Sequence, residues 1–311
     1  MLPKKYLQRI ESFLVKEDLE QIIKGYTEER VCSFRVNTLK STENEVESFL
    51  CTRNISFKKV SFLPLAYIID KKDEFVLKGS PLFYEGKIYV QGLASQLPAI
   101  LLDIKDGMNV FDITAAPGSK TTQIAALMNN TGTIIACEKH QIRHDKLVHN
   151  IKLQGATNIE THKMDALKLM TELEKESFDA ILLDAPCSAE GRFKLNDEKS
   201  YGFWTLGNIQ DKAIIQTSLL EASIPLLKKG GILVYSTCTL APEENEGVVT
   251  DVLAKHPDLK LETIDMTDME FARKGITSFE GTPYNSEIEK TVRILPSDLM
   301  EGFYLVKIRK I

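Results

Sequence analysis

The sequence lacks the cysteine patterns that indicate a disulfide framework or a zinc site. Its five cysteines form no Cys-x-x-Cys pair and no Cys/His cluster. It also lacks a run of the roughly 20 apolar residues that a membrane span requires, and its amino terminus, Met1-Leu-Pro-Lys-Lys5, has no apolar signal region. We therefore expect a cytoplasmic protein without a metal site or a membrane partner.

Two common nucleotide-binding fingerprints are also absent. No Gly-x-Gly-x-x-Gly follows a predicted strand, and Gly118-Ser-Lys-Thr121 misses the P-loop pattern because Ser119 stands where the second glycine should precede the lysine. Hydride transfer and phosphoryl transfer thereby lose support. The stretch from Asp112 to Thr121 nevertheless places an acidic residue at a strand end, before a turn of small residues and a helix start. That order is typical of α/β proteins that hold a nucleotide-like ligand at the carboxyl edge of a parallel sheet.

An α/β fold is predicted for the larger part of the chain. With 311 residues, of which 43% are hydrophobic, the chain can bury a full α/β core and carry a smaller second domain. After a helix over 94–102, strands and helices alternate in the rhythm of a doubly wound parallel sheet with helices on both faces. The predicted strands cover 109–113, 132–137, 158–163, 178–184 and 230–236, and the helices between them cover 119–128, 140–153, 165–173 and 211–228. Two later strands are predicted over 291–295 and 303–308.

A small α+β domain is predicted over residues 1–90, followed by the catalytic domain over 91–311. Apolar spacing predicts helices over 5–24 and 41–53. Strands are predicted over 31–38, 57–60, 66–69 and 88–90. The net charge is -5, but residues 1–90 carry 15 Lys and Arg against 13 Asp and Glu. This weak asymmetry fits either an RNA-facing module or an ordinary solvated surface.

Chemically capable side chains follow three of the predicted strands. Glu138 ends one strand, where a carboxylate can accept ribose hydroxyls or remain solvated. Asp184 and Cys187 lie just past the strand over 178–184, and Cys238 lies just past the strand over 230–236. A single buried cysteine is usually inert. Two cysteines at strand ends, one preceded by Asp-Ala-Pro, indicate a chemical role.

These residues also carry a family resemblance. The sequence resembles the Sun/Nop (RsmB/Nop) family of RNA cytosine-5 methyltransferases, which use S-adenosylmethionine (SAM), and the similarity extends over almost the whole chain. The resemblance implies a Rossmann-like class I SAM methyltransferase sheet preceded by a small RNA-binding-type domain. The matching segments are Asp112–Thr121, Asp184–Gly191 and Tyr235–Glu246, with Arg35–Lys40, Gln91–Gln96 and Arg293–Pro296.

The resemblance assigns a role to each candidate cofactor-binding residue. Glu138 should hold the ribose of SAM, Arg143 matches the family's basic residue, and Asp165 should meet the adenine amino group. Asp184 should lie between the cofactor and the target base. The backbone that should wrap the methionine part of SAM runs through Thr114, Ala115, Ala116, Pro117, Gly118, Ser119 and Lys120. The sequence departs from the family's pattern at Thr114, Ala189 and Ser297, where cysteine, glycine and histidine are usual.

The implied chemistry begins with a thiolate. Carbon 5 of cytosine is a weak nucleophile until a thiolate adds to carbon 6, and the family pattern gives that thiolate to Cys238. Asp184 should hydrogen-bond the ring nitrogen at position 3, and Lys120 should fix Asp184 electrostatically. Cys187 is the family's candidate for assisting release of the product. DNA cytosine-5 methyltransferases use a cysteine after proline as nucleophile, which makes Cys187 the competing assignment, but the Ser-Thr-Cys-Thr context favours Cys238.

The expected partner is RNA, either tRNA or rRNA. In the loop after Cys187, three basic residues and three aromatic residues are candidates to grip a single strand and stack a base, although Trp204 also suits packing against the next helix. Two other functions stay open: methylation of an exocyclic amino group, and a catalytically silent scaffold that binds SAM or RNA. The loop residues concerned are Arg192, Lys194 and Lys199, with Phe193, Tyr201 and Trp204.

Overall fold

A computed structural model describes residues 2–311, which divide into two compact units. Unit I comprises Val31–Leu183 and Pro225–Leu233. Unit II comprises the segment that ends at Arg30, together with Asp184–Ile224 and Val234–Ile311. Among residues 2–311, no helix is at once long enough and apolar enough to cross a lipid bilayer.

The helices and strands are numbered in chain order. The helices are α1 (Lys4–Glu11), α2 (Lys16–Thr27), α3 (Glu43–Thr52), α4 (Glu74–Lys78), α5 (Pro81–Tyr84), α6 (Leu93–Leu101), α7 (Ser119–Leu127), α8 (Gln141–Gln154), α9 (Ala166–Glu172), α10 (Leu206–Ser223) and α11 (Glu246–Lys255). The strands are β1 (Cys32–Val36), β2 (Phe57–Lys59), β3 (Ala66–Ile69), β4 (Ile88–Val90), β5 (Asn109–Asp112), β6 (Thr133–Cys137), β7 (Ile159–His162), β8 (Phe178–Asp184), β9 (Leu227–Thr237), β10 (Leu259–Glu262), β11 (Ala272–Lys274), β12 (Ser278–Phe279), β13 (Thr282–Pro283), β14 (Val292–Ile294) and β15 (Phe303–Lys310).

A small antiparallel sheet opens unit I. Its strand order is β2-β3-β1-β4. Helix α3 begins after Thr42, whose hydroxyl oxygen accepts the backbone N–H of Glu45 and caps the helix. Phe34 and Tyr67 stack between neighbouring strands with ring centroids 5.5 Å apart, and Val46 and Leu50 of α3 join the same buried cluster.

The second sheet of unit I is parallel from β8 through β5 and β6 to β7. Strands β6 and β8 are built largely of apolar residues, as expected for strands covered on both faces. Asp112 at the end of β5 lies level with Ala136 of β6, and Cys137 lies level with His162 of β7. Residues that directly follow these strands therefore meet at one edge of the sheet, where ligands bind in open α/β folds.

Unit II combines an antiparallel sheet with the two amino-terminal helices. Its strands follow the order β11-β14-β15-β9, with β10 paired to the other part of β15. Helices α1 and α2 contribute Tyr6 and Tyr26, whose hydroxyl oxygens lie 2.6 Å apart, to an aromatic cluster. Phe193 and Trp204, from the segment before α10, pack edge-on against the ring of Tyr6.

The structure confirms the predicted α/β class and shifts several element bounds. The predicted helix over 5–24 is two helices, because Val15 adopts an extended backbone conformation between them. The predicted helix over 211–228 instead runs from Leu206 to Ser223, capped at its start by the hydroxyl of Thr205. Helix α11 and strands β10 to β13 were not predicted. The domain division into residues 1–90 and 91–311 stays a prediction.

Candidate active site

The turn after β5 has a fixed conformation. Gly118 has a φ of 101°, which an L side chain rarely adopts, and a Cβ there would lie 3.0 Å from a methyl group of Leu147. The hydroxyl of Thr121 donates to the buried carboxylate of Asp112 at 2.7 Å, and the hydroxyl of Thr122 donates to the carbonyl of Gly118 at 2.7 Å. Helix α7 begins directly after this turn, so its first N–H groups are available to an electron-rich ligand.

Glu138 and Arg143 form the polar part of the same edge. Glu138 directly follows β6 and is only 5% exposed. One of its carboxylate oxygens accepts the N–H of His140 at 2.8 Å, and the other lies 3.3 Å from the guanidinium of Arg143. Arg143 also donates to the carbonyl of Ala116 at 2.8 Å, which ties the turn to the carboxylate. The sequence predicted both residues, but it gave no sign of this bridge.

Asp165 lies at the start of α9 and keeps one carboxylate oxygen near solvent. Its other oxygen caps the helix by accepting the N–H of Leu167 at 3.0 Å. Two carboxylates thus follow neighbouring strands β6 and β7, one buried and one half-exposed. Carboxylates accept hydrogen bonds from ribose hydroxyls and from an adenine amino group. The carboxylates of Glu138 and Asp165 in unit I therefore suit the adenosine part of SAM.

Contacts with α6 and with β1 hold the start of α7. The ammonium of Lys120 donates to the hydroxyl of Ser95 on α6 at 2.8 Å. Arg35 on β1 is buried and donates to the hydroxyl of Thr122 at 2.8 Å and to the side chain of Gln91 at 3.1 Å. Burial lowers the pKa of Arg35 to about 10. Sequence reasoning placed Arg35 in a family motif but did not give it this contact.

Cys187 and Cys238 meet in unit II. Their sulfur atoms lie 3.3 Å apart, and both residues are half-buried. Asp184, three residues before Cys187, is fixed by Ser236, two residues before Cys238, whose hydroxyl donates to its carboxylate at 2.8 Å. The structure thus brings together the three unit II residues that the sequence selected.

Hydrogen bonds join the loops that carry the two cysteines. The N–H of Gly191 donates to the carbonyl of Cys238 at 2.9 Å. The hydroxyls of Ser188 and Thr239 lie 2.7 Å apart, and the N–H of Ser188 donates to the carboxyl of Glu244 at 3.0 Å. Each loop therefore restrains the other.

Hydrogen bonding, burial and a nearby cation act on the two thiols. The hydrogen bond between the thiols, together with burial, raises the pKa of the Cys187 thiol. The guanidinium of Arg192 forms an ion pair with Glu301 at 3.1 Å and also interacts electrostatically with both cysteines.

The three remaining cysteines do not contribute to this site. Burial raises the pKa of Cys32 to about 11 and that of Cys137 to about 12. Cys51 is exposed on α3, in the small domain region of unit I. Cys32 and Cys137 have the surroundings of inert structural thiols.

The aromatic side chains after Cys187 are core residues, so the expectation that they stack on a base is wrong. Phe193, Tyr201 and Trp204 are at most 7% exposed. The indole N–H of Trp204 donates to the buried carboxyl of Glu190 at 2.7 Å, and burial raises the pKa of that carboxyl. The basic residues of this segment, Arg192, Lys194 and Lys199, are exposed as expected.

Comparison with protein families shows to which family the chain belongs. The family described as 16S rRNA methyltransferase RsmB/F matches residues 99–309, more than half of the chain. The N-terminal domain of 16S rRNA methyltransferase RsmF matches residues 2–93. The chain belongs to the RsmB/RsmF family.

Individual relatives of this family differ in substrate and in length. The tRNA (cytosine(49)-C(5))-methyltransferase of Pyrococcus abyssi is 35% identical over 286 residues, which cover 89% of this chain and 88% of that protein. Ribosomal RNA small subunit methyltransferase F of Aeromonas salmonicida is 40% identical over 232 residues, covering 73% of this chain but 48% of that protein. The chain therefore spans about half the length of that ribosomal RNA relative.

Solved structures of similar proteins support the fold and the cofactor. A methyltransferase homologue from Pyrococcus horikoshii has a TM-score of 0.86 at 32% identity, covering 99% of this chain and 95% of that one. NSun6 from Pyrococcus horikoshii, solved with SFG, a SAM analogue, has a TM-score of 0.83 at 27% identity, covering 99% and 98%. The RsmB/RsmF chain described here is a class I methyltransferase that uses SAM.

Two departures from the family's usual residues have a structural explanation. Ala189 has a φ of 60°, which accounts for the glycine that usually stands there. Ser297 is buried, and its hydroxyl oxygen accepts the N–H groups of Leu299 and Met300 at 3.2 and 3.1 Å. Ser297 therefore stabilises a turn before β15. Thr114 is half-buried in the turn after β5.

Proposed function

We propose that this protein transfers a methyl group from SAM to carbon 5 of a cytosine in RNA. The observation that carries the proposal is the contact between Cys187 and Cys238 beside Asp184. A methylase of exocyclic amino groups needs no thiol, and a scaffold needs none of the three side chains. Relatives named for cytosine-C5 methylation of tRNA and of small-subunit rRNA make these two RNA classes the candidate substrates.

Residues of unit I hold the cofactor in this proposal. Glu138 accepts the ribose hydroxyls, and its interaction with Arg143 keeps the carboxylate oriented toward them. Asp165 receives the adenine amino group. SAM supplies an electrophilic methyl group when it is bound. The methionine part is held by the backbone of Thr114, Ala115, Ala116, Pro117, Gly118, Ser119 and Lys120.

Cys238 is the nucleophile in the first step. Its thiolate forms a bond to carbon 6 of the cytosine, and the electrons of the carbon 5–carbon 6 double bond move toward the ring nitrogen at position 3. Asp184 hydrogen-bonds that nitrogen and stabilises the developing charge. Carbon 5 thereby becomes nucleophilic enough to accept the methyl group.

Cys187 acts in the second step. After methyl transfer, carbon 5 carries both a proton and the new methyl group, while carbon 6 remains bonded to the Cys238 sulfur. Removal of the proton from carbon 5 restores the ring double bond and expels the Cys238 thiolate. A base takes this proton, and we assign Cys187 to assist release of the Cys238 sulfur, because its thiol lies 3.3 Å from that sulfur and can donate a hydrogen bond to the departing thiolate.

Substitution of each cysteine tests this assignment against its competitor. Cys238→Ala should give no covalent adduct with a cytosine-containing RNA in the presence of SAM. Cys187→Ala should accumulate the adduct, because formation is intact while release is slow. Denaturing gel electrophoresis detects the adduct as a species of higher mass. The reverse pattern would make Cys187 the nucleophile.

We further infer that residues 1–90 form an RNA-facing domain ahead of a catalytic domain over 91–311. The two family matches, to residues 2–93 and 99–309, leave a gap close to this boundary. Lys58 and Arg53 are exposed on this domain. Charge reversal at both positions should weaken RNA binding in a filter assay while leaving SAM binding unchanged, and unchanged RNA affinity would reject this part of the proposal.

A further inference from the structure

A single buried carboxyl group anchors the turn that carries Cys187. Glu244 has no exposed surface. One of its carboxyl oxygens accepts the N–H of Ser188 at 3.0 Å and the side-chain amide of Gln216 at 2.9 Å. The same amide of Gln216 donates to the carbonyl of Pro186 at 2.9 Å. The residues on both sides of Cys187 are thus attached to Glu244, one directly and one through Gln216.

Glu244 belongs to the loop that carries Cys238, and that loop is itself fixed. The hydroxyl of Tyr235 donates to the backbone carbonyl of Glu244 at 2.5 Å. The neighbouring side chain of Asn245 accepts from the hydroxyl of Thr237 at 2.6 Å and donates to the carbonyl of Thr239 at 3.1 Å. A displacement of the Glu244 carboxyl would therefore move the Cys187 turn relative to Cys238.

The surroundings of Glu244 leave part of its bonding capacity unused. Its second carboxyl oxygen is buried without a hydrogen-bond partner, as is the side-chain oxygen of Gln216. Burial of a carboxylate that is only partly hydrogen-bonded disfavours the charged form. Two buried, unsatisfied oxygens in one cluster are costly, so a structural role alone does not account for a carboxyl at this position.

We propose that Glu244 is a positioning residue for Cys187, holding the turn from Pro186 to Ser188 so that the Cys187 thiol can assist release of the methylated base. This inference rests on the proposed function. It adds a residue that contacts neither the cofactor nor the base and acts through the Cys187 turn.

The protonation of Glu244 also makes the reactivity of the Cys187 thiol dependent on pH. Burial raises the pKa of Glu244 to about 7, against the opposing hydrogen bonds from Ser188 and Gln216. The ionisable groups that face it are Glu190, the Cys187 thiol and Tyr235, while α10 contributes the neutral Gln216. Negative charge on Glu244 adds to the rise in the pKa of Cys187. Ionisation of Glu244 above neutral pH therefore keeps Cys187 in its thiol form.

Alkylation of Cys187 tests the electrostatic part without RNA or SAM. Iodoacetamide labelling is followed by mass spectrometry in Cys238→Ala and in Cys238→Ala/Glu244→Gln, from about pH 6 to about pH 8.5. Loss of the charge should raise the labelling rate of Cys187 above neutral pH, and the two rates should converge below it. Parallel profiles would overturn the proposal. Glu221→Gln provides the matched control, because Glu221 is a half-buried glutamate near the end of α10 that pairs with the exposed Lys255.

Release of the RNA adduct tests the positioning part. Glu244→Ala in otherwise unchanged protein should release the adduct about tenfold more slowly than the wild type, approaching the behaviour of Cys187→Ala. Glu244→Gln should restore release, because its amide oxygen can accept from Ser188 and from Gln216 as the carboxyl does. Release at the wild-type rate in a folded Glu244→Ala protein would overturn the proposal. Absence of any adduct in the wild type would instead count against the proposed function. The alkylation profiles would still show whether Glu244 acts on the Cys187 thiol.

Discussion

The sulfur atoms of Cys187 and Cys238 lie 3.3 Å apart although 51 positions separate the two residues in the chain. Cys187 follows β8 and Cys238 follows β9, and hydrogen bonds from Ser188 and Gly191 hold the two loops together. Two half-buried thiols in contact are unusual for a structural role, because one buried cysteine suffices to fill a gap in a core. The pair instead suits a reaction in which one thiol adds to a base and the other assists its departure.

The thiol contact predicts sensitivity to thiol–disulfide exchange. Oxidised glutathione should convert the two thiols to a Cys187–Cys238 disulfide while it is itself reduced to two glutathione molecules. The disulfide should abolish methyl transfer, since it removes the nucleophile, and dithiothreitol should restore it. Peptide mapping identifies the bond, and a protein that stays fully active and unbridged would contradict the prediction. Cys187→Ala should form no intramolecular bridge.

Gly118→Ala should weaken both stability and SAM binding. The backbone conformation of Gly118 costs an L residue about 1–2 kcal/mol, and the new Cβ would crowd Leu147 at 3.0 Å. Thermal denaturation and calorimetric titration with SAM measure the two effects. Gly207→Ala on α10 is the control, because a Cβ there meets nothing within 4 Å and alanine favours a helix. Equal stability and equal SAM affinity of the two variants would contradict the assignment of this turn to SAM binding.

Glu138→Gln should lower the affinity for SAM. The substitution keeps the shape of the side chain but replaces a charged acceptor, and a hydrogen bond to a charged group contributes about 1.5–3 kcal/mol. That loss corresponds to an increase in the dissociation constant of about tenfold or more. Calorimetric titration with SAM measures this change in the dissociation constant. Glu160→Gln, at an exposed position on β7, is the matched control. A dissociation constant unchanged by Glu138→Gln would remove Glu138 from the cofactor site.

Glu244 should make the stability of the protein fall as the pH rises toward 7. Its pKa rises from 4.5 to about 7 on folding, so the folded chain binds more protons than the unfolded chain between these values. Raising the pH through that window therefore lowers the free energy of unfolding, by about 1.4 kcal/mol per pH unit. Between about pH 5 and about pH 8, the wild type should lose about 3 kcal/mol more than Glu244→Gln in urea denaturation. Identical pH dependence of the two proteins would contradict the assigned ionisation.

The sequence was sufficient to locate the groups at the carboxyl ends of the strands. Asp112 and Glu138 each come at the end of an apolar run in unit I, and parallel strands direct such residues to one edge of a sheet. Asp184 comes at the end of the apolar run of β8 in the same way. The motifs around Cys187 and Cys238 further narrowed the chemistry to a cysteine-dependent transfer. The contact between these two sulfurs agrees with that interpretation.

Long-range polar contacts could not be predicted, because no local pattern encodes them. Gln216 lies in the middle of α10 and reaches Glu244 only through the packing of that helix. Packing suited Trp204 better than base stacking, but no local pattern indicated that it donates to Glu190 inside a core built with α1 and α2. A local signal did exist for α10, since Thr205 is a good cap and Pro225 prevents its continuation.

Bisulfite sequencing of tRNA and rRNA incubated with the purified protein and SAM tests the central claim most directly. Methylation at carbon 5 protects a cytosine from conversion, so the account predicts a new protected cytosine with the wild type and none with Cys238→Ala. The Cys238→Ala protein must bind SAM as the wild type does for this comparison. A cytosine that the Cys238→Ala protein protects equally well, or protection nowhere with a wild type that binds SAM, would contradict the account.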